Sequence, residues 1–148
     1  MHREPGRERG AADPDPQRGE ATGPTVEEIA DEICRDLQAI HIGAYGRAAA
    51  SAQAHLLDDT VIVLLDGLEL LPNEEFLISQ GHEEVVASVR VQFQKAIEPT
   101  FRAAVERATG RRVIGFVSHV QVEEPRFMAE IFRLEPRADG RRLGGGFG

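Results

Sequence analysis

The chain has 148 residues, 41% of them hydrophobic and 28% charged, with a formal net charge of −8. That length suits one domain with a real core and leaves no room for a second. Residues 25–134 carry ten basic against eighteen acidic side chains, a balance that argues against nucleic acid as the main partner, because phosphate binding needs Lys and Arg gathered on one face.

Residues 1–24 and 136–148 are rich in Pro, Gly and charge without an apolar period. They read as disordered arms around a single domain at 25–135. The first helix begins after Thr25, where Glu28 stands three residues beyond a candidate N-cap, the capping-box spacing. Val26, Ile29, Ile33, Leu37 and Ile40 keep helical period up to Gly43, opposite an acidic, solvated face of Glu27, Glu28, Asp31, Glu32 and Asp36. Two extended segments then flank Asp58-Asp59, which predicts a two-residue hairpin pairing Leu57 with Thr60 and His55 with Ile62. Ala52, Ala54, Leu56, Val61, Val63 and Leu65 share the face expected to meet the helices. Pro72 suits the first turn of a short helix that closes near Gly81.

The longest element runs from Glu83 to Gly110, with Val86, Val89, Phe93, Ile97, Phe101, Ala104 and Ala108 as its apolar stripe. Pro99 predicts a kink near Lys95, or two helical pieces. Arg107, Arg111 and Arg112 read as a solvated helix end. Residues 112–122 and 127–134 form a second hairpin; a four-residue loop would put Ile114, Phe116, Ser118, Val120 and Val122 on one face with Phe127, Ala129 and Ile131. Val113, Val117, His119, Met128, Glu130, Phe132 and Leu134 would then share the reverse face.

The order α-β-β-α-α-β-β predicts an α+β fold, a four-stranded antiparallel sheet of two β-hairpins with helices packed on one face. The uncovered face would carry Leu57, Ile62, Leu64, Val117, Phe132 and Leu134, an apolar patch rarely left in water. A homodimer interface is the expected cover.

Candidate chemistry is sparse. His41, His55 and His119 with Asp58 and Asp59 could ligate a metal and support an enzyme, but no two of the histidines have helical i, i+4 spacing. His119 is expected opposite Glu130 as a cross-strand pair, and the two aspartates as turn residues. Tyr45, Gly46 and Arg47 offer a turn whose guanidinium could hold phosphate or bicarbonate in a sensing domain. Cys34 cannot close an internal disulfide and reads as a small boundary residue. No catalytic residue, metal or cofactor is expected, and the protein is read as not an enzyme. No apolar leader or bilayer-length run is present, so the expectation is a cytoplasmic protein without direct membrane insertion.

Several segments resemble one family: Tyr45-Gly46-Arg47, Leu57 to Thr60, Leu70 to Glu74, the Arg90 to Phe93 region, Val105 to Val113, Phe116 to Val120 and Ile131 to Glu135. Together they are similar to the MpsC-like domain, named for a bacterial sodium-translocating, membrane-potential-generating system. The family pattern usually continues the first segment with Gly-Pro, where this chain has Ala48-Ala49, and puts a hydroxyl residue where it has Leu71. The resemblance implies a soluble accessory component that works beside a membrane transport protein in ion-coupled or inorganic-carbon uptake.

Overall fold

Thr25 opens α1 (Val26–Tyr45) as its spacing predicts, its hydroxyl oxygen accepting the Glu28 N–H at 3.1 Å. The helix outruns Gly43 and stops at Gly46, which takes the left-handed conformation at φ 78°. Ile33, Leu37, His41 and Tyr45 form its buried face. Gln38 clamps the returning chain, accepting the Ala49 N–H and donating to the Ala49 carbonyl. The computed structural model describes residues 23–138, so the expected arms lie almost wholly outside the described residues.

β1 (Ser51–Leu57) and β2 (Thr60–Asp66) pair in the expected register, His55 opposite Ile62. α2 (Pro72–Ser79), α3 (Glu83–Thr109), β3 (Val113–Gln121) and β4 (Phe127–Leu134) complete the α+β order. The sheet is antiparallel with order β1-β2-β4-β3, so the two hairpins join through their second strands. Val61, Val63 and Leu65 lie at zero exposure in the core that α1 and α3 close.

The second hairpin departs from expectation by one residue. Gln121, not Val122, pairs with Phe127, leaving a five-residue loop. Gln121 Nε2 donates to the Pro125 carbonyl at 2.8 Å, Arg126 Nε to that of Val122 at 2.9 Å, and Val122 itself turns inward. A shift of one residue exchanges the faces of a strand. Met128, Glu130, Phe132 and Leu134 are therefore buried beneath the helices with Phe116, Ser118 and Val120 across from them or beside them. Phe132 and Leu134 leave the expected dimer face. His119 lies opposite Ala129, and Ser118 takes the place opposite Glu130. The open face keeps Leu57, Ile62, Leu64 and Val117, and gains Ile131 between Ile62 and Val117.

α3 also differs. Of the two expectations at Pro99, that of two helical pieces is removed: α3 is one helix of 27 residues. Pro99 and Lys95 are exposed, so the Lys95 carbonyl that loses its N–H partner faces water, while Phe101, Ala104, Val105 and Ala108 anchor the following turns. In the first half the expected stripe is turned around: Val89 and Phe93 are 48% and 44% exposed, and Arg90 and Gln94 face inward.

Arg111 is no solvated helix end. Its guanidinium donates to the Asp58 carbonyl, the Asp59 carboxylate and the Glu135 carbonyl, tying the β1–β2 turn to the end of β4. Arg111→Ala lowers the unfolding free energy by about 1–3 kcal/mol, the scale of a few charge-assisted bonds on a partly buried side chain. Urea titration measures it; an unchanged midpoint would show that the three bonds hold nothing together.

Candidate functional site

Arg90 and Gln94 stand one turn apart on the inner side of α3, 1% and 3% exposed. α2 supplies the counter-charge. Glu74 Oε2 accepts Arg90 Nε at 2.7 Å and Oε1 accepts Nη2 at 2.8 Å, a two-pronged pair. Glu74 is positioned by its own helix start, where Pro72 occupies the first turn and the Leu71 N–H donates to Oε1 at 2.9 Å. The Arg90 guanidinium lies 4.4 Å from the centre of the Tyr45 ring, within cation–π range. That ring, carried in by α1, also packs on His41 and Phe93 at centroid separations of 4.7 and 5.5 Å.

Gln94 extends the cluster to the sheet. Its Nε2 donates to the Tyr45 hydroxyl at 2.9 Å and approaches Met128 Sδ at 3.4 Å. Glu130 follows Met128 on the same face of β4, with Ser118 across from it on β3. Both Glu130 oxygens, Ser118 Oγ, Gln94 Oε1, His41 Nδ1 and Arg90 Nη1 are buried without a hydrogen-bond partner among the described residues. A cleft of about 140 Å³ opens here between α3 and β3, with Val91, Gln94, Phe116 and Ser118 in its wall.

The electrostatics follow from burial. Loss of water would raise the Glu74 carboxyl, but the Arg90 bonds, the Leu71 N–H and the Arg90 charge outweigh it and hold the group below the usual range. His41, desolvated and facing the Arg90 charge, is lowered to about 4 and stays neutral at physiological pH. Burial pushes Glu130 up to about 8; the neighbouring Ser118 hydroxyl pulls the other way, although the two groups miss hydrogen-bond geometry. Tyr45 is raised, chiefly by burial.

The expected site residues disperse. Tyr45 points into the core, Gly46 caps α1, and Arg47 reaches outward to Glu69 at 3.4 Å. His41 is on the buried face of α1, whereas His55 and His119 occupy the open face on the two edge strands, three strand spacings apart and two residues out of register, so more than about 14 Å from each other. Cys34 is half-buried, and desolvation, with Asp31 adding to it, raises its thiol. Sequence reasoning missed Arg90, Gln94, Glu74 and Glu130 as a cluster. A signal existed: the segments containing Tyr45, Glu74, Arg90 and Ser118, far apart in the chain, all carry the family resemblance and all meet here.

The family model described as "Na+-translocating membrane potential-generating system (MpsC)" matches residues 25–135. The chain belongs to the MpsC family. The match covers the folded domain from the α1 cap to the residue after β4, and so includes every member of the buried cluster. No curated protein and no solved structure matches the chain. Among the described residues, no helix is long and apolar enough to cross a membrane.

Proposed function

We propose that this MpsC domain is a non-enzymatic accessory or regulatory module of a bacterial membrane system coupled to ion movement or inorganic-carbon uptake. It works from the cytoplasm, by contact with a membrane transport protein. The observation that carries this reading is the outward side of the first half of α3. From Val85 to Gln94 its exposed positions are Val85, Ser88, Val89, Val91, Gln92 and Phe93, none charged, in a chain that is 28% charged. Apolar surface depleted of charge is the composition of an interface core. The Arg90–Glu74 pair favours this orientation, since rolling Val89 and Phe93 inward would pull the guanidinium away from its carboxylate.

A photo-crosslinker at position 89 tests it in cells of the source organism. The expected product is one adduct with an integral membrane protein, reduced at least tenfold by Val85→Glu, which changes stability by no more than about 0.5 kcal/mol because the side chain is exposed. Adducts only with soluble proteins would overturn the reading.

The same proposal includes a homodimer through the open sheet face, supported by the apolar row Ile62, Ile131 and Val117 with Leu57 and Leu64 nearby.

A further inference from the structure

β1 and β3 are the two borders of the sheet, and only β3 is blunted. It carries a register shift between Val113 and Gly115, the kind of irregularity that spoils pairing at an edge. β1 pairs with β2 without a break over all seven residues and holds no Lys, Arg, Asp, Glu or Pro. Its free main-chain groups follow from the bonds on the other side of β2. The Leu134 N–H donates to the Asp59 carbonyl and the Gly67 N–H to that of Arg126, at the two ends of the β2–β4 ladder, so Val61, Val63 and Leu65 bond towards β4. Thr60, Ile62, Leu64 and Asp66 therefore bond towards β1, where they face Leu57, His55, Gln53 and Ser51. Ala52, Ala54 and Leu56 are left with N–H and C=O pointing away from the sheet, and no main-chain group outside the strands bonds to them among the described residues. Their side chains point towards the helices yet are only partly buried, whereas Leu65, Val63 and Val61 opposite them lie at zero exposure. The helix layer stops short of this border.

We propose that the β1 edge pairs with β1 of a second copy, antiparallel about a two-fold axis at Ala54, to make one continuous eight-stranded sheet from two four-stranded ones. Only the register centred on Ala54 uses all the free groups: Ala54 faces Ala54 of the second copy, Ala52 faces Leu56, and each such pair exchanges two main-chain bonds. A two-fold contact needs a surface complementary to itself. On the helix side a small residue meets a large one to either side of the axis. On the open-face side Gln53 meets His55, an amide against an imidazole, and no charge in the strand meets its like. The flanks favour the same direction, because Arg47 precedes β1 and Asp58 follows it, so antiparallel pairing sets the acidic end of each strand towards the basic end of the other. Asp59 is already bonded to Arg111, which leaves the exposed Asp58 for this role. A seven-residue edge, about 24 Å long, is a small interface, so the dimer is reversible and set by concentration. The contact leaves the open sheet face and the outer side of α3 uncovered, and so stands apart from the surfaces proposed above.

Thiol cross-linking of the full chain reads the register. In a Cys34→Ser background, Gln53→Cys and His55→Cys each put a thiol at an exposed position of β1. The proposed pairing sets these two positions opposite each other in a non-hydrogen-bonded pair, with Cα atoms about 4.5 Å apart, inside the range that a disulfide spans. Mixed and mildly oxidised, the two variants give a covalent heterodimer in at least tenfold greater yield than either gives with itself, because like positions are two residues out of step. Ala54→Pro, added to both, removes the N–H on the axis without touching a bond to β2, and lowers that yield at least tenfold while far-UV circular dichroism stays native. No disulfide in the mixture, equal yields from each variant alone as a face-to-face dimer would allow, or a natively folded Ala54→Pro pair that cross-links undiminished would overturn the proposal.

Discussion

Replacing Glu74 with Gln lowers the stability of the domain by about 3–5 kcal/mol, the cost of leaving a buried charge uncompensated. Arg90 is 1% exposed and takes both its best bonds from this carboxylate, so its charge cannot escape to water without moving α3. Losing that much from a domain of ordinary stability brings it near unfolding. The double replacement Glu74→Leu with Arg90→Met, which removes both charges and keeps the volume, recovers most of the loss, because a buried pair is worth little more than well-packed apolar residues. Urea denaturation of Glu74→Leu, of Arg90→Met and of the double variant completes the cycle. If Glu74→Gln cost under about 1 kcal/mol, the pair would be behaving as a solvated one.

The pH profile of stability is set by two buried groups that oppose each other. Glu130 has a raised folded-state pKa, about 8 against 4.5, so it holds its proton in the folded state while the unfolded chain releases it. Its contribution is fully present below pH 4.5 and is lost as pH rises through 8. His41 has a depressed pKa, about 4 against 6.5, so the unfolded chain takes up a proton that the folded protein refuses. Its contribution is present above pH 6.5 and is lost as pH falls towards 4. Each slope is about 1.4 kcal/mol per pH unit, and between pH 4.5 and 6.5 they cancel. The expected profile is a plateau over that interval, with a fall of roughly 2 kcal/mol between pH 6.5 and 8. On the acid side the depressed Glu74 carboxyl adds to the decline. Glu130→Gln removes the alkaline fall, and its profile stays flat there. Denaturant titrations across this range measure both proteins; an alkaline slope that survives in the variant would show that another group is responsible.

What the sequence made legible was local. The Thr25 cap, the Pro72 helix start and the first hairpin are each specified by a few neighbouring residues, and a two-residue turn leaves only one register. The second hairpin turns on whether its loop has four or five residues, a choice decided by Val122 folding inward and by side-chain bonds from Gln121 and Arg126. Adjacent residues cannot signal that. The face of α3 was hidden for a related reason. Periodicity weighs Val89 and Phe93 as core and Arg90 and Gln94 as surface, but the partners that draw the polar pair inward, Glu74 and Tyr45, lie 16 and 49 residues away from them respectively. Polar burial depends on such distant satisfaction, which a hydrophobic stripe does not encode.

The last strand among the described residues, β4, sits between β2 and β3 in the middle of the sheet. During translation β2 therefore has nothing to lie against on that side until almost the entire domain has emerged, and the first hairpin waits with one border open. A chain stopped before Phe127 lacks the strand that joins the two hairpins, the seam between the halves of the sheet.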